Sequence, residues 1–419
     1  MTGALAAPVT DLRVDGARLW STLMETAAFG RTAKGGLCRL ALSPEDAEVR
    51  RWFVTACEAL GCAVTIDQLG NIFARRAGSS PDLPPIAIGS HLDTQPTGGR
   101  FDGILGVLAG LEVLRTLDDA GVVTRHPIEV VNWTNEEGAR FAPAMLCAGV
   151  FAGAFEMDYA LSRQDKAGVR LEDALEQSGF RGPAPVGGRP LAAHFELHIE
   201  QGPVLEAEGL EIGVVSGVQG IRWFDVEISG LACHAGTMPM RLRRDALQAA
   251  ARLAVAVDEI GRSEPDASLS TIGIFDAYPG SRNTVPETIR MSVDLRHPRA
   301  EGLDELEQAF RAAVADIAAR LRVEIVVQPV WSSPPVVFDP RVVGAIDAAT
   351  QRLGYSRRSI VSGAGHDSVY IARVAPTGMI FTPCDDGISH NEAENMSPAQ
   401  AERGANVLLQ AILQFDGTV

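Results

Sequence analysis

The sequence predicts an α/β protein built on a mostly parallel sheet covered on both faces, with a smaller α+β domain inserted into it. Three observations point there. The chain has 419 residues, more than a single hydrophobic core usually supports. Through its first half, short apolar runs that read as buried strands alternate with stretches whose apolar residues recur at helical spacing, the order of parallel β-α units. From about residue 213 that alternation gives way to a β-α-β-β-α order, which belongs to a separate α+β unit.

Taken in order, "PIAIGSHLD" reads as a buried strand running into a polar loop. "DGILGVLAGLEVLRTLDDAG" follows as a helix, with Gly121 as its stop. "HPIEVVNWTN" and "AAHFELHIEQG" repeat the strand theme, each ending in polar residues. "GVVSGVQGIRWFDVEISG" alternates with period two, the stretch from Arg244 to Gly261 is an alanine-rich helix, "LSTIGIFDAY" and "TIRMSVDLRHP" are strands, and "GLDELEQAFRAAVADIAARL" is an amphipathic helix. "VVQPVWSSPPVVFDP" is expected to be a linker because of its prolines. Beyond it, "AIDAATQRLG" and "TGMIFTPC" resume the helix and strand order of the first half. The domain boundaries so drawn are 1–212 and 332–419 for a main domain in two pieces and 213–331 for the insert. "SGVQG" and "SSPP" at the joins are expected hinges that let the insert act as a lid.

Composition narrows the partners. With 46% hydrophobic and 21% charged residues the chain is an ordinary globular protein, and its formal net charge of −16 with no basic stripe excludes a general nucleic-acid surface. No stretch approaches the roughly 20 apolar residues that span a bilayer. The first twenty residues carry Asp11 and Asp15 and do not read as a secretory signal. Six scattered cysteines without a CxxC pair read as reduced thiols, so a cytoplasmic location is expected.

Functional groups gather where parallel strands end. "NWTNEEGARF" sets Glu136 and Glu137 side by side after a buried strand, so one can hold a metal while its neighbour handles protons. Other strand ends offer His91 and Asp93 in "GSHLDT", Asp102 in "GGRFDG", His198 and Glu200 in "HIEQG", and His390 in "DDGISHNE". His, Asp and Glu are the ligand types that Zn²⁺, Mn²⁺, Co²⁺ and Ni²⁺ favour, and a carboxylate bridging two metals suits hydrolysis. Asp93 is expected behind His91, accepting its other ring N–H and fixing the tautomer. His194 shares a strand face with His198, and pattern alone does not choose between them.

The order of motifs resembles the M20 clan of di-metal amidohydrolases, in particular its carbamoylase branch of N-carbamoyl-L-amino-acid hydrolases, allantoate amidohydrolases and β-ureidopropionases. "GSHLDTQPTGGRFDGILGVLAGLEV", "NWTNEEGARF", "HIEQGPVLE", "HAGTMPMRLRRDAL", "RNTVP", "DLRHP", "SGAGHDS" and "ISHNE" carry the likeness over nearly the whole chain. The resemblance implies a di-metal hydrolase domain with an inserted lid and dimerisation domain. It implies that His91, Asp102 and His198 hold one divalent ion, and that Asp102 as bridge, Glu137 and His390 hold the other. Zn²⁺ is the default, with Mn²⁺, Co²⁺ or Ni²⁺ as the alternatives. It makes Glu136 the general base and decides for His198 over His194.

By the same resemblance Arg296 and Asn283 bind the substrate carboxylate, His234 reaches the reacting carbonyl oxygen from the other subunit of a homodimer, and Gln201, Arg222 and Gly365 line the pocket. His366 is expected to support the metal shell through Asp367. His126 and His297, each before a proline, read as loop residues. The implied substrate is a small molecule with a carboxylate and a ureido group, an N-carbamoyl-L-amino acid in the first place and allantoate or N-carbamoyl-β-alanine as alternatives. A metal-free binding protein on the same fold should have lost ligands or base, and all are retained here.

Overall fold

A computed structural model describes residues 9–418, so the beginning of the stretch read above as lacking a secretory signal lies outside the described residues. The chain divides into two compact units, one formed by the chain up to Ser216 and from Phe338 onward, the other by Gly217–Val337. The joins fall a few residues beyond 212 and 331, since Ile212–Val218 is a strand that pairs antiparallel with Thr377–Thr382 in the first unit's sheet. Among the described residues no helix is long and apolar enough to cross a membrane.

In the first unit four parallel strands form the middle of the sheet, in the order Ile128–Trp133, Ile86–His91, Ala193–Ile199 and Thr377–Thr382. Ile72–Arg76 and Ala63–Ile66 extend one side antiparallel. Every residue of the four central strands is buried, which is why they read as apolar runs rather than as alternating ones. Helix Ile104–Asp119 lies against one face together with Pro398–Asp416, which Ser397 opens with a reciprocal capping box to Gln400. The opposite face carries Phe73, Val131 and Trp133 packed on Phe151, Leu191 and Ile371, with Trp133 and Phe151 edge-to-face at 5.0 Å. Two covered faces leave the carboxyl ends of the strands as the open rim of the sheet.

The second unit is a sheet in the order Phe275–Tyr278, Thr288–His297, Gly220–Ser229 and Glu324–Ser333, with Leu269–Thr271 also beside Thr288–His297. Helices Ala246–Gly261 and Ala300–Leu321 cover one face and bury Phe224, Val226, Ile228, Ile289, Met291, Val293 and Leu295 around Phe310. The period-two alternation of the sequence is thus real, with Trp223, Asp225 and Glu227 on the uncovered side. One expectation fails. Residues 326–333 are no linker: Glu324–Ser333 pairs along its length with Gly220–Ser229, shifting register between Pro329 and Trp331. Proline is accommodated because this is the outermost strand of its sheet and the shift removes the need for a ladder donor there. His297 likewise proves to be a buried strand end whose Nδ1 accepts from Arg299 N at 3.0 Å and whose ring packs on Gly302, no loop residue.

Candidate metal centre

The five residues expected to hold metal, His91, Asp102, His198, Glu137 and His390, converge beyond the ends of the four parallel strands, with Glu136 beside them. His91 closes its strand, His198 is the last but one of its own, Glu136 and Glu137 follow the end of Ile128–Trp133, and His390 lies beyond Thr377–Thr382. Asp102 stands just before helix Ile104–Asp119 and is buried among them. Three groups of ligand atoms form among the described residues, each within 4.8 Å: Glu196, His198 and His366 in one, and two that share Asp102, with His91 and His198 in the first and Glu137 and His390 in the second. Asp102 belongs to both because its oxygens face opposite ways. Oδ1 lies 3.7 Å from His91 Nε2 and 3.1 Å from His198 Nε2. Oδ2 lies 3.5 Å from His390 Nε2, which is 3.4 Å from Glu137 Oε2.

Local backbone chemistry aims these groups. His91 Nδ1 sits 2.9 Å from the Asp93 carbonyl oxygen and His198 Nδ1 2.9 Å from that of Ile199. A carbonyl only accepts, so in each ring Nδ1 carries a hydrogen and Nε2 is the atom turned towards Asp102. Asn135, Gln201 and His390 all hold left-handed backbone at φ 58, 57 and 54, a conformation non-glycine residues adopt where the surroundings impose it. Gly103 at φ 67 has a second reason to be glycine, since a Cβ there would overlap the His91 ring.

Asp93 meets the expectation through its backbone carbonyl alone. Its carboxylate is 4.0 Å from His91 Nδ1 and accepts instead from the amides of Glu136 and Glu137, each at 3.3 Å. The backbone carbonyl of Asp93 orients His91, and its side chain fixes the glutamate pair. Gln201 donates to Asp102 Oδ2 at 2.9 Å and to Ser389 Oγ at 3.1 Å, leaving a buried Oε1. Glu137 accepts from Gln95 N and Gln95 Nε2 at 3.1 and 2.7 Å.

The electrostatics are those of a place that attracts cations. Burial is the largest influence on His91 and lowers it to about 4, so its ring is neutral. At His198 burial also pulls downward but is outweighed by the hydrogen bond and charge of Asp102, which bring it to about 9. The Gly103 amide, 3.1 Å from His198 Nε2, fits a bare nitrogen there. Glu136, 3.5 Å from His91 Nε2, is pushed well above the ordinary carboxylate range by burial and then by the charges of Asp367, Glu137, Asp93 and Asp102. Asp367 itself is buried with neither carboxylate oxygen hydrogen-bonded to protein. So many buried acids beside imidazoles whose Nδ1 hydrogens are taken by backbone carbonyls fit divalent cations in charge and in donor type alike.

Two buried arginines that sequence patterning does not single out hold the loops beneath. Arg39 Nε donates to Leu92 O at 3.1 Å, and Arg50 donates to Asp46 Oδ2 at 2.6 Å and to Thr134 Oγ1 at 3.1 Å. Glu196 accepts from Ser90 and Ser368 hydroxyls at 3.0 and 2.6 Å behind His198. His366 is in direct contact with His198, ring to ring at 4.6 Å, and joins it and Glu196 in one of the three groups. His194 is buried between Trp133 and Ser368 as a structural residue.

The remaining residues divide between the units. Gly365 is in the first, where a Cβ would press on the Met145 thioether. In the second, the pairing of Cys233–His234 with Thr284–Val285 sets exposed His234 beside Asn283, whose carbonyl accepts from Ala235 N at 2.9 Å. Arg296 makes a two-point contact with Asp294 at 2.8 to 3.2 Å. Arg222 departs from the expectation in its surroundings: it lies on the helix-covered face of the sheet, where Asp304 and Glu307 engage its guanidinium.

The model of peptidase family M20/M25/M40 matches residues 87–414. An N-carbamoyl-L-amino-acid amidohydrolase of Rhizobium meliloti is 46% identical over 410 residues, 98% of this chain and 99% of that one. One from Geobacillus stearothermophilus is 38% identical over 406 residues, 96% and 99% of the two chains. A crystal structure of an amidase of the hydantoinase/carbamoylase family from Burkholderia multivorans superposes with a TM-score of 0.94 at 52% identity, covering 96% of this chain and 98% of that one.

Proposed function

The chain belongs to peptidase family M20/M25/M40, and on that premise we propose that it hydrolyses the carbamoyl C–N bond of N-carbamoyl-L-amino acids, giving the L-amino acid, CO₂ and ammonia. The observation that carries the reading is Asp102, one carboxylate with an oxygen turned to each of two histidine-containing half-sites. Buried Glu136 stands beside it outside either ligand group. The names of the relatives support the substrate class.

In this scheme His91, Asp102 and His198 would hold one divalent ion and Asp102, Glu137 and His390 a second, with zinc, manganese, cobalt or nickel all compatible with the donor set. When bound, two such ions would supply Lewis acidity, lowering the pKa of a water and polarising the substrate carbonyl. Glu136 takes a proton from the attacking water as the new C–O bond forms at the ureido carbon. It then delivers that proton to the amino nitrogen as the C–N bond breaks. The amino acid leaves with its nitrogen protonated, and the carbamate left behind decomposes to CO₂ and ammonia. Arg296 and Asn283 hold the substrate carboxylate, Arg296 exchanging its two-point contact with Asp294 for one with the substrate anion, and Gly365 with Gln201 borders the pocket.

His234 donates to the carbonyl oxygen as it becomes negative, a contribution of about 3 kcal/mol for one well-placed donor. Supplied by a second copy of the chain, that role requires a dimer. A fully active monomer in sedimentation at assay concentration would remove His234 from the scheme.

The test of substrate is ammonia release from N-carbamoyl-L-methionine, N-carbamoyl-D-methionine, allantoate and N-carbamoyl-β-alanine under defined metal loading. The L-carbamoyl amino acid is expected to give the highest kcat/KM. A preference for allantoate or N-carbamoyl-β-alanine would move the chain to a sister activity, and no ammonia from any of the four would defeat the reading.

A further inference from the structure

Glu394 lies in a polar stretch of "SHNEAENMSP" with no ligand task, yet its carboxylate is buried and bonded at both ends. Oε1 accepts the amide hydrogens of Phe101 and Asp102, at 2.9 and 3.1 Å. Oε2 lies 3.0 Å from Ser389 Oγ, and that hydroxyl is 2.9 Å from Asp102 Oδ2. Ser389 immediately precedes His390. A single side chain therefore grips the backbone of the carboxylate common to both half-sites and the loop that brings the histidine of one of them. Its seat is shaped for it: the carboxyl passes directly over Gly99, where a Cβ would overlap it.

Ser389 has one hydroxyl hydrogen and faces two carboxylates, while Gln201 Nε2 already donates to its oxygen from 3.1 Å. The hydroxyl serves Asp102 best when its other neighbour does not compete for the same hydrogen. An amide at position 394 would meet every requirement, with its carbonyl for the two backbone amides and its NH₂ for Ser389.

We infer that Glu394 is a positioning residue of the two-cation site, locking Asp102 and the His390 loop to each other so that the half-site of Asp102, Glu137 and His390 is preformed. The inference rests on the reading given under Proposed function. Outer partners that orient metal ligands typically account for about 10–100-fold in metal affinity.

Cobalt titration of metal-stripped protein, followed by the visible absorption of bound Co²⁺, counts the equivalents and ranks their affinities without reference to turnover. Glu394→Ala is expected to weaken one of two equivalents by about 10-fold or more. Glu394→Gln is expected to hold both as the wild type does. Gly99→Ala, which leaves the carboxylate chemically intact but pushes it from its seat, should reproduce the loss seen with alanine at 394. Wild-type affinity for both equivalents in Glu394→Ala overturns the inference, and so does a glutamine variant as weak as the alanine one. Should Glu394→Ala lack a cooperative thermal transition, Gly99→Ala decides by the same criterion, wild-type binding by it counting against the inference. A wild-type chain that takes up no Co²⁺ defeats the two-cation reading instead, so the two failures are told apart.

Discussion

Glu136→Gln is expected to lower kcat by about 10²–10⁴-fold, the usual worth of a positioned general base, with metal content and thermal stability unchanged. The substitution keeps shape and volume and removes the ability to take a proton. Among the described residues Glu136 makes no ion pair with a lysine or arginine that the change would orphan; its neighbours are His91 Nε2 at 3.5 Å and, through its own amide, the Asp93 carboxylate. The carboxyl is raised by burial and by Asp367, Glu137, Asp93 and Asp102 around it, and two cations would bring it back towards the working range. Steady-state kinetics with metal analysis of the same sample check this. Undiminished turnover in the variant would take the proton-transfer role away from Glu136.

Asp102→Ala is expected to cost both ions. Every other ligand serves one half-site, whereas Asp102 faces His91 and His198 with one oxygen and His390 with the other. Its removal takes an anionic donor from each and leaves facing imidazoles without the charge that opposes them. Glu137→Ala, by contrast, strips one half-site. Metal analysis after dialysis should therefore show Asp102→Ala near zero and Glu137→Ala near one ion per chain, with no hydrolysis by the former. Equal metal content in the two variants would show that Asp102 is not the shared ligand.

Much of this architecture is legible from residues alone, for identifiable reasons. "PIAIGSHLD" and "HPIEVVNWTN" announce themselves because strands buried on both faces need unbroken apolar runs, and a parallel sheet then dictates that whatever follows them meets at one rim. The strand Glu324–Ser333 is hidden from pattern because Pro329 obeys the rule against central strands while sitting on an outermost one. Asp93 stands where its spacing puts it but its side chain serves another task, since spacing cannot say whether a carbonyl or a carboxylate reaches a ring nitrogen. Arg222 reads as available to a substrate because alternation tells which face a residue takes but not which helix residues wait there.

Arg39, Arg50, Glu196 and Glu394 leave no signal at all. Pattern rules send charged residues to the surface, and only the three-dimensional pairing of Arg50 with Asp46, or of Glu394 with the amides of Phe101 and Asp102, reveals that these are interior. The motifs therefore point to the groups facing the cations, while the shell that aims those groups is written in residues any surface loop could carry.

The central claim is that a single carboxylate joins two cation half-sites into one hydrolytic centre, and the direct measurement is the number of divalent ions bound per chain at saturation together with the rate at each loading. Two ions per chain, and ammonia release that vanishes on chelation and returns as the second ion is restored, is the predicted result. Full activity in chelated protein, or saturation at a single ion with full activity, would contradict it.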